Sequence, residues 1–264
     1  IISVGKIFLD KAKLANTKII PLDSEHNAIF QLIKNKSIDN IRKYTITASG
    51  GNFYNYTKTD LKKITVNQAI THPKWNMGKK ISIDSSTLMN KGLEIIEACI
   101  LFNINSDDID ALIHPESIIH GIIEFNDRSS HAFLSQPSME ISISSVLFES
   151  NKIDLIEHEL QLSKIKTLNF SEIDSDKFNS IKLAKTALTE GGLLPAVFNY
   201  SNELMVELFL QNKILFTDIA LGNEQIMMKF MHDGNNIQKP LIDDIDNTYN
   251  LINTYLPFIK SIIN

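Results

Sequence analysis

The chain has 264 residues, of which 43% are hydrophobic and 22% charged, and a formal net charge of −5. This composition excludes disorder, which needs low hydrophobicity and high net charge, and the acidic balance argues against a nucleic-acid binder, whose footprint is a basic face. No stretch approaches the ~18 uncharged apolar residues of a membrane-spanning helix, and the single cysteine, Cys99, excludes an internal disulfide and a cysteine-based zinc site and fits a reducing compartment.

Residues 1–18 lack the basic, apolar and small-residue succession of a secretory leader, and the opening on Ile1 reads as a segment of a longer protein. Residues 17–23 read as a short buried strand with its carboxyl end at Asp23. Apolar residues at 28, 29, 32 and 33 then predict a helix over 25–33. Residues 42–47 form a second strand, closed by the turn Ser49-Gly50-Gly51. Residues 61–70 are weakly helical, and 72–78 form a loop by their Pro and Gly. Residues 80–84 alternate as a strand, and a helix capped by Ser86 or Thr87 runs to about Phe102.

Strands follow at 109–113 and 117–125, the latter paired with 130–134 as a hairpin around Asn126-Asp127. Residues 137–148 predict a helix, and 150–175 are polar without periodicity. Helical patterns fill the rest, at 178–190, 195–211, 216–231 and 243–263, with a stop at Gly191-Gly192. The fold class is therefore an α/β (α+β) domain with a mixed open sheet, followed by an all-helical C-terminal domain. Its parts are a domain over 23–149, a linker over 150–174 and a helical domain over 175–264.

Ligands of open α/β sheets sit beyond the carboxyl ends of strands, and three polar clusters fall there. In Asp23-Ser24-Glu25 two carboxylates at i and i+2 make a half-site for a hard cation such as Mg²⁺ or Mn²⁺; the same residues also suit a helix N-cap. Asn90, Lys91 and Glu94 share a helix face, where they can complete an oxygen site and hold a phosphate, or form an ordinary exposed Lys–Glu pair. Ser49-Gly50-Gly51 can offer backbone N–H groups to a phosphate, or serve as a plain tight turn. The loop at 72–78 carries Trp75, the only tryptophan, which fits a lid over a ligand as well as a core position. His114 reads as a core histidine, and His120 stays open.

Together, LDSEHNAIFQ (22–31), SGG (49–51), HPKWNMG (72–78), DSSTLMNKGLEIIEA (84–98), IHPESIIHG (113–121) and QPSM (136–139) resemble the 1-deoxy-D-xylulose 5-phosphate reductoisomerase family. The resemblance covers nearly the whole chain and is densest over 17–139. It implies an NADPH-dependent conversion of 1-deoxy-D-xylulose 5-phosphate to 2-C-methyl-D-erythritol 4-phosphate in non-mevalonate isoprenoid synthesis, in a homodimeric enzyme of the bacterial cytoplasm that binds neither nucleic acid nor membrane.

By motif match, Asp23, Glu25 and Glu94 would hold one Mg²⁺, Mn²⁺ or Co²⁺ and, with Lys91, form the catalytic set. Substrate would be held by Ser24, Ser49, His72, Trp75, Met77, Ser85, Asn90, Lys91, Glu94 and His120, and Gly78 would lie near the cofactor. The chain carries no Gly-rich dinucleotide fingerprint. The resemblance therefore assigns NADPH to a preceding domain, of which residues 1–22 would be the tail. Two departures stand out: Asn52 occupies the place of a family Pro, and Ser138 that of an acidic residue. Two other readings stay open, a stand-alone metal-dependent sugar-phosphate isomerase or aldolase, and a non-catalytic dimerisation module.

Overall fold

The computed structural model of the chain describes residues 1–71, 78–148, 153–232 and Pro257. Its helices and strands run in the order α1 (Gly5–Leu14), α2 (Ser24–Ile33), β1 (Ile41–Ala48), α3 (Lys58–Leu61), α4 (Val66–Ala69), α5 (Lys79–Ser86), α6 (Met89–Phe102), β2 (Ile109–Ile113), β3 (Ile119–Phe125), β4 (Ser130–Leu134), α7 (Met139–Leu147), α8 (Leu162–Ile165), α9 (Ser180–Glu190), α10 (Leu194–Leu210) and α11 (Phe216–His232). Two compact units emerge. One comprises Ile19–Gly50 and Asp107–Ile173; the other comprises the described residues of Ile1–Lys18, Gly51–Ser106 and Asp174–Asn264.

The first unit holds the sheet, in the order β2-β1-β3-β4. β1 pairs parallel with β2, from Tyr44↔Ile109 to Ala48↔Ile113, and antiparallel with β3, as at Ile46↔Gly121. β3 and β4 form the expected antiparallel hairpin. The sheet is thus mixed and open. Tyr44, Ile46, Ile109 and Ile123 bury their side chains on it, and α2 packs across β1, β3 and β4. Gly121 makes room for that helix, since a Cβ there would lie 3.0 Å from Ile29 and 3.3 Å from Ala28. At the β2 edge an isolated bridge from Ile113 to Ser171 continues the pairing.

The second unit is built of helices and connecting turns, with no strand among its described residues. α6 packs on α1, α5 and α9, and α10 packs on α9 and α11. The apolar positions of α6, Leu93, Ile95, Ile96 and Cys99, are buried. The helix ends where Asn103 turns left-handed (φ 54°) and Ile104 N–H bonds back to Cys99 O at 3.1 Å. Gly191 stops α9, as the sequence predicts. Among the described residues, no helix is long and apolar enough to cross a membrane.

Two strands expected from the sequence are not strands. Residues 17–22 take neither helix nor strand. Pro21 has no N–H to give a ladder, and its carbonyl is taken by Asn27 Nδ2 at 3.0 Å. Residues 80–84 lie inside helix α5. Ile83 is buried while Ile81 faces out, so the two lie on different sides of a helix and not on one face of a pleat. The hydroxyls of Ser82, Ser86 and Thr87 donate to the carbonyls four residues back, at 2.9–3.1 Å, which lets polar residues sit inside the helix. The weakly helical stretch 61–70 resolves into the single turns α3 and α4. The expected helix at 243–263 lies outside the described residues, save Pro257.

Candidate active site

In the sheet unit, Asp23 is the N-cap of α2. Its carboxylate accepts from Glu25 N at 3.4 Å, and Asn27 N–H donates to its carbonyl at 2.7 Å. A capping role does not occupy a carboxylate fully, and the second carboxylate is close. Oxygens of Asp23 and Glu25 lie within 4.8 Å of one another, and a ring nitrogen of His26 lies within the same distance of Asp23. The Ser24 hydroxyl donates to Glu25 Oε2. Two carboxylates so close repel unless a cation or proton lies between them. Both are hard oxygen donors, so the pair fits Mg²⁺ or Mn²⁺ by its chemistry.

Also in this unit, Ser49 follows the last residue of β1. His120 sits in β3 where its register with β4 shifts between Ile119 and Gly121, and its side chain is buried. Such an irregularity re-aims a side chain relative to the regular pleat. His114 is fully buried, as a core histidine should be. Its Nδ1 lies 2.8 Å from Asn169 O and 3.0 Å from the Glu116 carboxylate, and its ring stacks on Phe170 at 4.8 Å.

In the helical unit, Gly51 is buried at φ +61°, and a Cβ on it would stand 2.7 Å from Ser86 Cα. Glycine is needed there by close backbone approach to α5. Asn52 donates through Nδ2 to Thr71 O, which ties this turn to the residue before the expected loop. In the sheet unit, Ser138, the other departure from the family pattern, caps α7 by accepting from Glu140 N at 3.2 Å.

α5 and α6 meet at Leu88, whose left-handed backbone (φ 59°) turns the chain between them. Just beyond, Lys91 and Glu94 are 4% and 2% exposed. Lys91 Nζ lies 2.6 Å from Glu94 Oε2, and Asn90 Nδ2 donates to Glu94 Oε1. This is a buried pair, and the exposed-surface alternative falls. Ser85 stands one turn earlier, partly exposed on α5. Gly78 caps α5 at φ −64°, and a Cβ on it would meet nothing within 4 Å among the described residues. His72, Trp75 and Met77 lie outside the described residues.

One element of this region was not singled out in the sequence. Asp84, 2% exposed, is bonded to Lys80 at 2.7 Å and to Asn202 of α10 at 2.8 Å. Burial pushes its carboxyl above the usual carboxylate range, against the pull of Lys80 and Asn202. The Lys80–Asp84 spacing of four was the available signal, legible only once 79–86 is known to be helical.

A family model described as the 1-deoxy-D-xylulose 5-phosphate reductoisomerase C-terminal domain matches residues 19–102. A second, the DXP reductoisomerase C-terminal domain, matches 134–251. The chain is 45% identical over 251 residues to the 1-deoxy-D-xylulose 5-phosphate reductoisomerase of Sulfurihydrogenibium sp., covering 95% of itself and 66% of the relative. It is 46% identical over 226 residues to that of Clostridium kluyveri, covering 86% and 59%. The chain thus spans about 59–66% of the length of these curated relatives. Among solved structures, the Zymomonas mobilis reductoisomerase in complex with NADPH aligns over 100% of this chain and 66% of its own, with TM-score 0.88 and 33% identity. A DOX-P reductoisomerase in complex with NADPH, fosmidomycin and magnesium aligns over 99% and 67%, with TM-score 0.90 and 33% identity.

Proposed function

From the premise that the chain belongs to the 1-deoxy-D-xylulose 5-phosphate reductoisomerase family, we propose that it carries the metal- and phosphosugar-binding part of a reductoisomerase that converts 1-deoxy-D-xylulose 5-phosphate to 2-C-methyl-D-erythritol 4-phosphate. The observation that carries this reading is the buried pair of Lys91 and Glu94, to which the half-buried Asn90 donates. A solvated helix face has no use for a buried ammonium and carboxylate, whose desolvation costs several kcal/mol per ion, on the order of what their attraction returns.

Asp23, Glu25 and Glu94 supply three carboxylates to one divalent cation. A cation held there supplies Lewis acidity toward the oxygens of the bound sugar. Ser24 hydrogen-bonds the sugar hydroxyls. Lys91 and Asn90, with Ser49, Ser85 and His72, donate to the phosphate, and Lys91 brings a positive charge to it. Trp75 and Met77 cover the carbon skeleton and exclude water, and His120 contacts substrate. Of the expected contacts to NADPH only Gly78 falls in this chain, so the hydride step is not assigned to its residues. Solved neighbours with NADPH and with fosmidomycin and magnesium support this reading, as do the bacterial relatives for a cytoplasmic location.

The proposed homodimer forms through the sheet unit. β4 is an edge strand with exposed residues, and α7 presents Ile143, Leu147 and Phe148 to solvent. Proteins cover such edges and patches.

The test is calorimetric. This chain binds fosmidomycin in the presence of Mn²⁺ and loses that binding with a chelator. Binding that ignores the metal, or none at all at millimolar ligand, overturns the reading.

A further inference from the structure

A cavity of about 550 Å³ opens in the helical unit, bounded by α3 and by the starts of α9 and α11. That size lies within the roughly 300–1,000 Å³ of small-molecule sites. None of the described residues expected to hold metal or substrate lines it. One wall is apolar, built by Leu61, Phe178, Leu215, Phe216 and Leu221. The Phe216 ring is fixed edge-on by Phe53 at 5.4 Å and Phe209 at 5.8 Å, so this wall is preformed. Leu215 and Leu221 are 51% and 52% exposed at its mouth.

The polar lining carries lysines that no described carboxylate pairs. Lys58, Lys62 and Lys182 reach the cavity with no carboxylate within 4.0 Å among the described residues. Two of the lining acids are already engaged. Glu224 accepts from Asn179 Nδ2 at 2.9 Å, and Asp218 accepts from Leu215 N at 2.9 Å. The fourth lysine, Lys177, is taken by Asp174 and by the carbonyls of Tyr54 and Tyr56. Three lysines are thus left without an ion-pair partner among the described residues, on a lining that also carries the charged Asp176, Asp218 and Glu224. Asn179 Oδ1, also on the lining, is a solvent-shielded acceptor with no donor among the described residues. A buried acceptor without a donor costs about 1–3 kcal/mol, and a ligand that brings one recovers it.

We propose that this cavity binds a small organic anion with an apolar body, of the class of aryl or short alkyl phosphates and carboxylates that also carry a hydrogen-bond donor. The apolar wall takes the body, the lysines take the anion, and Asn179 Oδ1 takes the donor. The occupant would rest against Thr87, the residue that ends α5 and receives the Met89 N–H of α6 at 3.4 Å.

The probe is 1-naphthyl phosphate, titrated calorimetrically into the full chain, with 1-naphthalenemethanol as its neutral counterpart. One saturable site is expected, with the neutral compound at least tenfold weaker. Lys62→Glu/Lys182→Glu and, separately, Leu221→Asp each weaken the phosphate at least tenfold at unchanged Tm. All three side chains are exposed, so these variants fold, and Lys182→Gln serves as the milder replacement. Saturating fosmidomycin with Mn²⁺ leaves the probe bound. The proposal is overturned by absence of saturable binding, by equal affinity for the neutral compound, by undiminished binding in the variants, or by displacement with fosmidomycin, which would put the probe in the phosphosugar site.

Discussion

Asp84 and Asn202 stand 118 positions apart, yet Asn202 Nδ2 donates to Asp84 Oδ1 at 2.8 Å with both residues buried. The bond ties α5, which carries Ser85, to α10. On the other side Lys80 holds the second carboxylate oxygen. Asn202→Ala is expected to destabilise the chain by about 1–3 kcal/mol, because a buried carboxylate loses a donor. Urea denaturation at pH 7 measures it, and a change under 0.5 kcal/mol would mean water replaces the amide.

The same carboxyl sets a pH dependence. Burial raises its folded-state pKa above the ordinary 3.8, so the folded chain holds the proton to higher pH than the unfolded chain. The stability from this preference is fully present below the ordinary value and is lost as pH rises through the raised one. Asp84→Asn removes that loss. Relative to the parent chain, the variant should therefore gain stability between pH 4 and pH 7; a difference that stays constant or moves the other way refutes the assignment.

Lys91 and Glu94 test the buried pair. Lys91→Met leaves the buried Glu94 carboxylate without its ammonium and should cost about 3–5 kcal/mol, as breaking such a pair does. Lys91→Met/Glu94→Leu removes both charges and should cost clearly less than the two single changes together. Additive costs in thermal unfolding without metal would show that the two side chains do not interact.

Metal binding is read directly. Asp23→Asn replaces a charged oxygen ligand and should weaken Mn²⁺ at least tenfold by calorimetry. Retained affinity would leave Asp23 as the cap of α2 alone.

Gly92 lies between Lys91 and Glu94 on α6, and a Cβ there would stand 2.8 Å from Ser180 O and 3.0 Å from the Phe198 ring. Gly92→Ala must push α6 from α9 and should cost about 1–3 kcal/mol. A Tm equal to that of the parent chain would show that the contact relaxes freely.

Much of the molecule was written in its sequence. Period-2 runs gave β1–β4, helical stripes gave α2, α6 and the C-terminal helices through α11, and the runs around Asp23 and Glu94 carried the family resemblance. These signals are local, so neighbours in the chain suffice to read them. Where the signal was short, the fold decided. Over the five residues 80–84, Ile81 and Ile83 alternate as in a strand, the run is too short to show a helical period, and only the packing of α5 on α6 and α10 selects the helix. Asn90, Lys91 and Glu94 have the spacing of any exposed helix pair. The burial of Lys91 and Glu94 comes with the packing of α1, α5 and α9 on α6, and no i, i+3 or i, i+4 relation encodes that. The Asp84–Asn202 bond and the lysine-rimmed cavity join α3, α5, α9, α10 and α11 across more than a hundred residues. Long-range packing alone creates them, because burial and unmatched charge are properties of the surroundings and not of the residue.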